Sequence, residues 1–318
     1  VKPILLQFHL PLLGNVEFPA YFTLLTIGFL VAMWITVRES KRLGMDHERI
    51  LDTNLWMVVW GLIGSRLLHL VADGHFMDYV HLCTDPKAVK AIDALTSYCT
   101  TSAQCGYDYL CDAQTHACYP PRDCLAALKL WRGGFAYYGG FLAATAFAFY
   151  YVRKHALGWW RTADLAAPAI ALGLFFGRVG CYLNGCCFGK PTDSAVGVVF
   201  PRGGSAWRAQ LDAGLIAWNG AAHPVHPTQL YEAIGCLAVF AALYFFVRPR
   251  RRAEGEVFAG LLILYAVVRS VIEIFRDDDR GVFLGGHLST SQLISLPLFA
   301  GGIALLVVLR RRARASVG

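Results

Sequence analysis

Seven stretches of this chain are each about 20 residues long and mostly apolar, the length at which an α-helix crosses the hydrocarbon core of a bilayer. They fall at roughly 20–37, 54–72, 135–152, 164–183, 228–247, 257–275 and 291–309. Runs of this kind leave few folds open. In lipid every backbone N–H and C=O must be satisfied without water, which restricts a spanning segment to a helix or a strand of a closed barrel. A spanning strand needs only about 9–11 residues, so these longer runs read as helices. Of the 318 residues, 56% are hydrophobic and only 16% are charged, against roughly 25% charged in a soluble domain. The expected fold is therefore an all-α polytopic membrane protein, one transmembrane domain over 1–318. Its opening residues, VKPILLQFHLPLLGNVEFP, are interrupted by prolines and lack a basic leading region, so no cleaved signal peptide is expected.

The formal charge of +7 is not a nucleic-acid footprint, because the basic residues are grouped between and after the apolar runs. Arg38, Lys41, Arg42 and Arg49 follow the first run, and Arg153, Lys154 and Arg161 follow the third. RPRRR follows the fifth and RRRAR the seventh. Alternate basic links mark the cytoplasmic side. Seven transmembrane helices then place the N-terminus outside and the C-terminus in the cytoplasm. Two long outward segments result, 73–134 and a small head over 184–227.

Arg66, Arg178 and Arg269 lie inside apolar runs, each in the second half of a run that travels outward. A rise of 1.5 Å per residue puts each about 5–10 Å below the outer boundary. Tyr21, Tyr138 and Glu232 open the runs that travel inward, and Glu273 sits near the outer end of the sixth. A guanidinium at membrane depth stays charged and needs an anionic partner. Snorkelling or structural pairing accounts for any one of the three. A shared depth for all of them points instead to one outward-opening polar site at the level of lipid headgroups, with charge suited to a phosphate.

Six cysteines, Cys83, Cys99, Cys105, Cys111, Cys118 and Cys124, lie in the outward segment 73–134. A small polar segment in an oxidising compartment is expected to be held by disulfides, and six cysteines allow 15 connectivities. Cys181, Cys186 and Cys187 lie where the fourth run ends. A redox or metal centre is one reading of them. With no fourth ligand at hand, small packing residues at a helix end are the favoured one. Gly173, Gly177 and Gly180 have the spacing that lets helices approach closely. In HPTQLYE, Glu232 follows Pro227 by about one turn, serving either charge balance and proton transfer or a pair with an arginine. In WRGGFAYYGG, Tyr137 reads as part of an interfacial aromatic belt more readily than Tyr138. Arg269, Glu273 and Arg276 are spaced to share one helix face, as a charge ladder or as an anion site.

GRVGCYLNGCCFG, HPTQLYE, WRGGFAYYGG, YAVVRSVIEIFRDDDR and LSTSQLISLP, in the spacings found here, resemble the bacterial prolipoprotein diacylglyceryl transferase family. The likeness covers the seven runs but not the cysteine-rich part of 73–134, which reads as an insertion. The resemblance implies a multi-pass enzyme of the bacterial inner membrane with its active site open to the outer leaflet. It would move the diacylglyceryl group of phosphatidylglycerol onto the lipobox cysteine of a preprolipoprotein, forming a thioether and releasing glycerol phosphate. It implies that Arg178 and Arg269 are the essential arginines. Tyr21, Asn184, Glu232, Tyr265, Glu273 and Arg276 match other motif positions, and Arg66 is added to this substrate-binding set on its depth. The family usually has His where this chain has Tyr138, Asn at Cys181 and an acidic residue at Cys186. Tyr138 is assigned a catalytic place as a hydrogen-bond donor, since a phenol of pKa near 10 is a poor base for a thiol near 8.5. No nucleotide loop or metal motif is present, so no cofactor and no metal are expected, and no nucleic-acid partner. Two rival readings stand beside this one: a non-catalytic phospholipid-binding or transport protein on the same fold, and a redox or metal membrane protein using the three clustered cysteines.

Overall fold

The structure is a computed structural model that describes residues 4–10, 14–72, 74–89, 99–105, 109–112, 114–129, 134–277, 282–283 and 288–315. Every one of the seven apolar runs is helical. In chain order the helices are α1 (Ala20–Arg42), α2 (His47–Val71), α3 (Phe76–Thr84), α4 (Tyr137–Lys154), α5 (Trp159–Asn184) and α6 (Ser205–Asp212). They are followed by α7 (Thr228–Ala241), α8 (Arg248–Arg250), α9 (Glu256–Glu273) and α10 (Thr290–Ala315). A π-helical turn, Ala242–Val247, joins α7 to α8 without a break. Among the described residues, five helical segments are long and apolar enough to cross a membrane: 20–42, 47–71, 159–184, 228–250 and 291–315. The other two, α4 and α9, have 18 residues each, about 27 Å of helix, slightly less than a hydrocarbon core of about 30 Å.

Helix α1 runs beyond its apolar stretch through Arg42, since Glu, Lys and Arg are good helix formers and cations suit a helix C-terminus. Among the described residues, the all-α expectation is modified by three small antiparallel ladders. β1 (Ile4–Leu10) pairs with β2 (Gly14–Pro19), β3 (Leu110–Cys111) with β4 (Cys118–Tyr119), and β5 (Val282–Phe283) with β6 (Leu288–Ser289).

The chain forms two compact units, one of 1–51 with 156–318 and the other of 52–155. In the first, α5 is the central helix and packs on α1, α7 and α9, while α10 packs on α9. Ala167 and Ala171 of α5 meet Val239, Leu243, Val257 and Leu261 in the core of this unit, small residues on one side admitting larger ones from the other. Asp164, in the first turns of α5, accepts hydrogen bonds from the backbone N–H of Gly255 (2.8 Å) and Phe258 (2.9 Å) and pairs with Arg251 (3.3 Å). It thereby caps α9 from another helix, satisfying donors that a helix N-terminus leaves open. Large apolar side chains such as Phe22, Leu25, Leu30 and Trp34 of α1 and Ile234, Phe245 and Phe246 along α7 and its extension point outward, as lipid-facing surfaces do.

In the second unit, α2 and α4 touch through glycines. A Cβ on Gly139 would lie 2.3 Å from the carbonyl oxygen of Gly64. The six cysteines of the insertion pair as Cys83–Cys124, Cys99–Cys111 and Cys105–Cys118. Ion pairs Lys87–Asp112 (2.8 Å) and Lys129–Asp123 (2.7 Å) add local ties.

Candidate active site

The centre of the site is Glu232, fully buried in the first turns of α7. Arg178 of α5 approaches one carboxylate oxygen at 3.0 Å, and Arg269 of α9 and Arg276 approach the other at 3.8 Å each. The Tyr265 hydroxyl donates to Glu232 at 3.4 Å. Arg269 also pairs with Glu273 at 2.8 Å and donates to the Ser291 hydroxyl at 2.6 Å. Three guanidiniums against two carboxylates give +3 − 2 = +1, held in a part of the structure where Arg269 and Arg276 are only 8% and 5% exposed. Such a surplus is expensive among apolar helices unless an anion completes it. Arg269 Nη1 and Glu232 Oε2 are buried without a hydrogen-bond partner among the described residues. Unsatisfied capacity of this kind calls for an explanation, and for the Arg269 nitrogen an acceptor oxygen of an anionic ligand supplies one.

Local structure explains how these groups meet. Helix α5 ends at Gly185 in the left-handed region (φ 78°), and the next N–H, of Cys186, returns to the Cys181 carbonyl at 3.2 Å. This closes the helix in a Schellman-type cap and turns the chain back over its own end. The segment then pairs with the end of α9: Gly189 bridges Arg276, and Lys190 N–H donates to the Phe275 carbonyl at 2.9 Å. Only glycine fits there, because a Cβ on Gly189 would lie 2.4 Å from that carbonyl oxygen. Arg276 is thus set by this pairing. It follows the end of α9 at Glu273 by one further turn, its N–H donating to the Glu273 carbonyl at 3.3 Å, and its side chain reaches the same Glu232 oxygen as Arg269.

Two side chains from HPTQLYE fix the returning loop. Thr228 Oγ1 donates to the Cys187 carbonyl at 2.9 Å, and Gln229 Nε2 donates to the Cys186 carbonyl at 2.7 Å. Both donors are almost completely buried. The sulfurs of Cys181, Cys186 and Cys187 lie within 4.8 Å of one another. The Cys186 thiol donates to the Cys181 carbonyl at 3.7 Å.

The remaining predicted residues are placed as follows. Tyr21, in the first turn of α1, lies against Gly180, where a Cβ would sit 3.2 Å from the Tyr21 Cα. Gly173 and Gly177 make no such approach: a Cβ on either would meet nothing within 4 Å among the described residues. Asn184 is the exposed last residue of α5. Arg66 is buried in the second unit, where it donates to the carbonyls of Ala126 (2.8 Å), Ala127 (2.9 Å) and Gly134 (3.0 Å) and stacks over Tyr79. It ties α2 to the two ends of the segment running into α4. Tyr138, also in the second unit, is exposed in the first turn of α4 beside Tyr137. The structure therefore brings together Arg178, Arg269, Arg276, Glu232, Glu273 and Tyr265. Ser291, Thr228 and Gln229 were not singled out from sequence, although they stand in the STSQ and HPTQ motifs that were.

The family model described as prolipoprotein diacylglyceryl transferase matches residues 7–308. A protein of Geobacter sulfurreducens named phosphatidylglycerol–prolipoprotein diacylglyceryl transferase is 27% identical over 303 residues, covering 94% of each chain. The protein of that name from Glaesserella parasuis is 28% identical over 320 residues, 99% of this chain and 96% of the relative. That of Stenotrophomonas maltophilia is 38% identical over 196 residues, 59% of this chain and 65% of the relative.

Proposed function

The chain belongs to the prolipoprotein diacylglyceryl transferase family, and from that premise we propose that it transfers the diacylglyceryl group of phosphatidylglycerol to the lipobox cysteine thiol of a preprolipoprotein. It acts as a seven-span protein of the bacterial inner membrane, with the N-terminus outside, the C-terminus in the cytoplasm and the site open to the outer leaflet. The basic links after alternate runs support that orientation.

The observation that carries the reading is the buried +1 cluster around Glu232, with hydrogen-bonding capacity left over on Arg269. A phosphodiester headgroup brings one negative charge and acceptor oxygens to guanidiniums already in place. In the reaction a carbon–sulfur bond forms at the glyceryl carbon and the carbon–oxygen bond to phosphate breaks. Its electron pair goes to the phosphate of the departing glycerol phosphate. Arg178, Arg269 and Arg276 stabilise that growing charge in a low-dielectric setting, where fixed donors count for more than in water. Glu232 and Glu273 hold the arginines apart and aimed, while Tyr265 orients Glu232 and Ser291 orients Arg269. Tyr21 and Asn184 border the same helix end and contact the headgroup. Tyr138 serves as a hydrogen-bond donor and Arg66 as an anchor of the cysteine-rich insertion.

The test is incubation with phosphatidylglycerol and a lipobox peptide, with the peptide mass measured. Arg178→Lys and Arg269→Ala are expected to cut transfer by at least about 100-fold, the loss typical of removing one preorganised charge-stabilising donor, while the protein keeps its helical spectrum. Normal turnover in both variants refutes the mechanism. Phospholipid binding without a thioether product favours the non-catalytic reading.

A further inference from the structure

Cys181, Cys186 and Cys187 have no role in the chemistry described above, yet the fold spends several features on bringing them together. Their sulfurs lie within 4.8 Å of one another. Tetrahedral zinc, at about 2.3 Å from each sulfur, needs them about 3.8 Å apart. An inward movement of at most about 1 Å closes the difference, within the reach of side-chain rotation. The backbone is already set for it. Cys187 has a φ of 59°, a left-handed conformation uncommon outside glycine, and strain of this kind gathers at functional sites. The carbonyls of Cys186 and Cys187 are clamped by Gln229 and Thr228. Cys181 is buried and the other two are half-buried, so the cluster is shielded but reachable.

These thiols are free, while all six cysteines of the insertion are paired. On the outward side of the membrane a free trio of neighbouring thiols invites oxidation unless something holds it. The reaction proposed above also needs a thiolate, and the two carboxylates at its centre, Glu232 and Glu273, are engaged by arginines. Three protein ligands with a fourth position open is the arrangement of a catalytic zinc site, and zinc accepts thiolate sulfur and, unlike copper, brings no redox chemistry. The resulting charge of −1 would lie beside Arg178, which is three residues from Cys181 on the same helix face.

We infer that Cys181, Cys186 and Cys187 bind zinc, and that the open fourth position takes the acceptor cysteine and turns it into the nucleophile. This rests on the diacylglyceryl transfer proposed above. The acceptor R–SH displaces water from the metal and gives its proton to solvent, because a coordinated thiol is held deprotonated. The bound sulfur attacks the glyceryl carbon, and the carbon–oxygen bond to phosphate breaks. The electron pair leaves on the phosphate beside Arg178, Arg269 and Arg276. The thioether, a weak ligand, departs and water returns.

The test uses the full chain in detergent, with Cys181→Ser, Cys186→Ser and Cys187→Ser, and Cys236→Ala as a control at a cysteine outside the cluster. Elemental analysis is expected to give about one zinc per chain in the wild type and the control, and loss of it in the three serine variants. Cobalt substituted into the wild type is expected to show sulfur-to-metal charge-transfer absorption. This measurement stands whether or not a variant folds. Stripping the metal with a chelator is expected to abolish transfer to a lipobox peptide, and zinc to restore it. A wild type that retains no zinc, or a disulfide among the three in the unreduced protein, overturns the inference. So does zinc retained in all three variants. Full transfer by metal-stripped enzyme overturns the inference and leaves diacylglyceryl transfer standing. A zinc-loaded wild type with no transfer at all overturns both.

Discussion

Replacing Glu232 by Gln removes the one negative charge that three arginines share. The cluster then goes from +3 − 2 = +1 to +3 − 1 = +2 with almost no change in volume. Glu232 is fully buried, so water cannot take its place. Breaking a buried pair by neutralising one partner costs about 3–5 kcal/mol, because the other charge is left uncompensated. Glutamine still accepts from Tyr265 and one guanidinium, which places the expected loss near the lower end, about 3 kcal/mol. The assay is thermal unfolding in detergent, repeated with increasing inorganic phosphate, alongside transfer to a lipobox peptide. Three results are expected together: a lower transition temperature, at least tenfold less transfer, and a greater stabilisation by phosphate than the wild type shows. The last is specific to the argument, since a mere packing defect gives no anion response. Wild-type stability and turnover, or destabilisation that phosphate does not relieve, refutes the view that Glu232 is the internal counter-anion of a phosphate site.

Asp164→Ala removes a cap shared by two backbone N–H groups and leaves Arg251 without its partner. We expect a stability loss of about 2 kcal/mol by denaturant titration. Transfer per folded molecule should be unchanged, since Asp164 lies 14 residues, about 21 Å, from Arg178 along α5. The Cys83→Ser/Cys124→Ser double variant opens a link spanning 41 residues, which chain entropy values at about 4 kcal/mol. Limited proteolysis should then cut within 73–134 while spectra of the remaining helices persist, and equal protease resistance would refute a stabilising role for that bond.

The sequence could determine what depends on length, local period and motif. Apolar runs of about 20 residues cannot be satisfied in lipid except as regular helices, and each of the seven is a helix here. The arginines at membrane depth and the ordered motifs pointed to a phosphate and to one family, because those signals are local in the chain. Pairing was beyond it. Six cysteines offer 15 equivalent matchings until the chain has folded. Arg66 looked like Arg178 and Arg269 by depth, and only the structure shows it donating to the carbonyls of Ala126, Ala127 and Gly134. Glu232 could have met any of the arginines, and only the packing of α5, α7 and α9 made it the partner of three. Cys181, Cys186 and Cys187 read as helix-end residues from sequence, and the left-handed turn at Gly185 set their sulfurs within 4.8 Å of one another. Such convergence comes from contacts between residues far apart in the chain, whose free energies depend on distance and burial, and neither quantity exists before the tertiary structure forms.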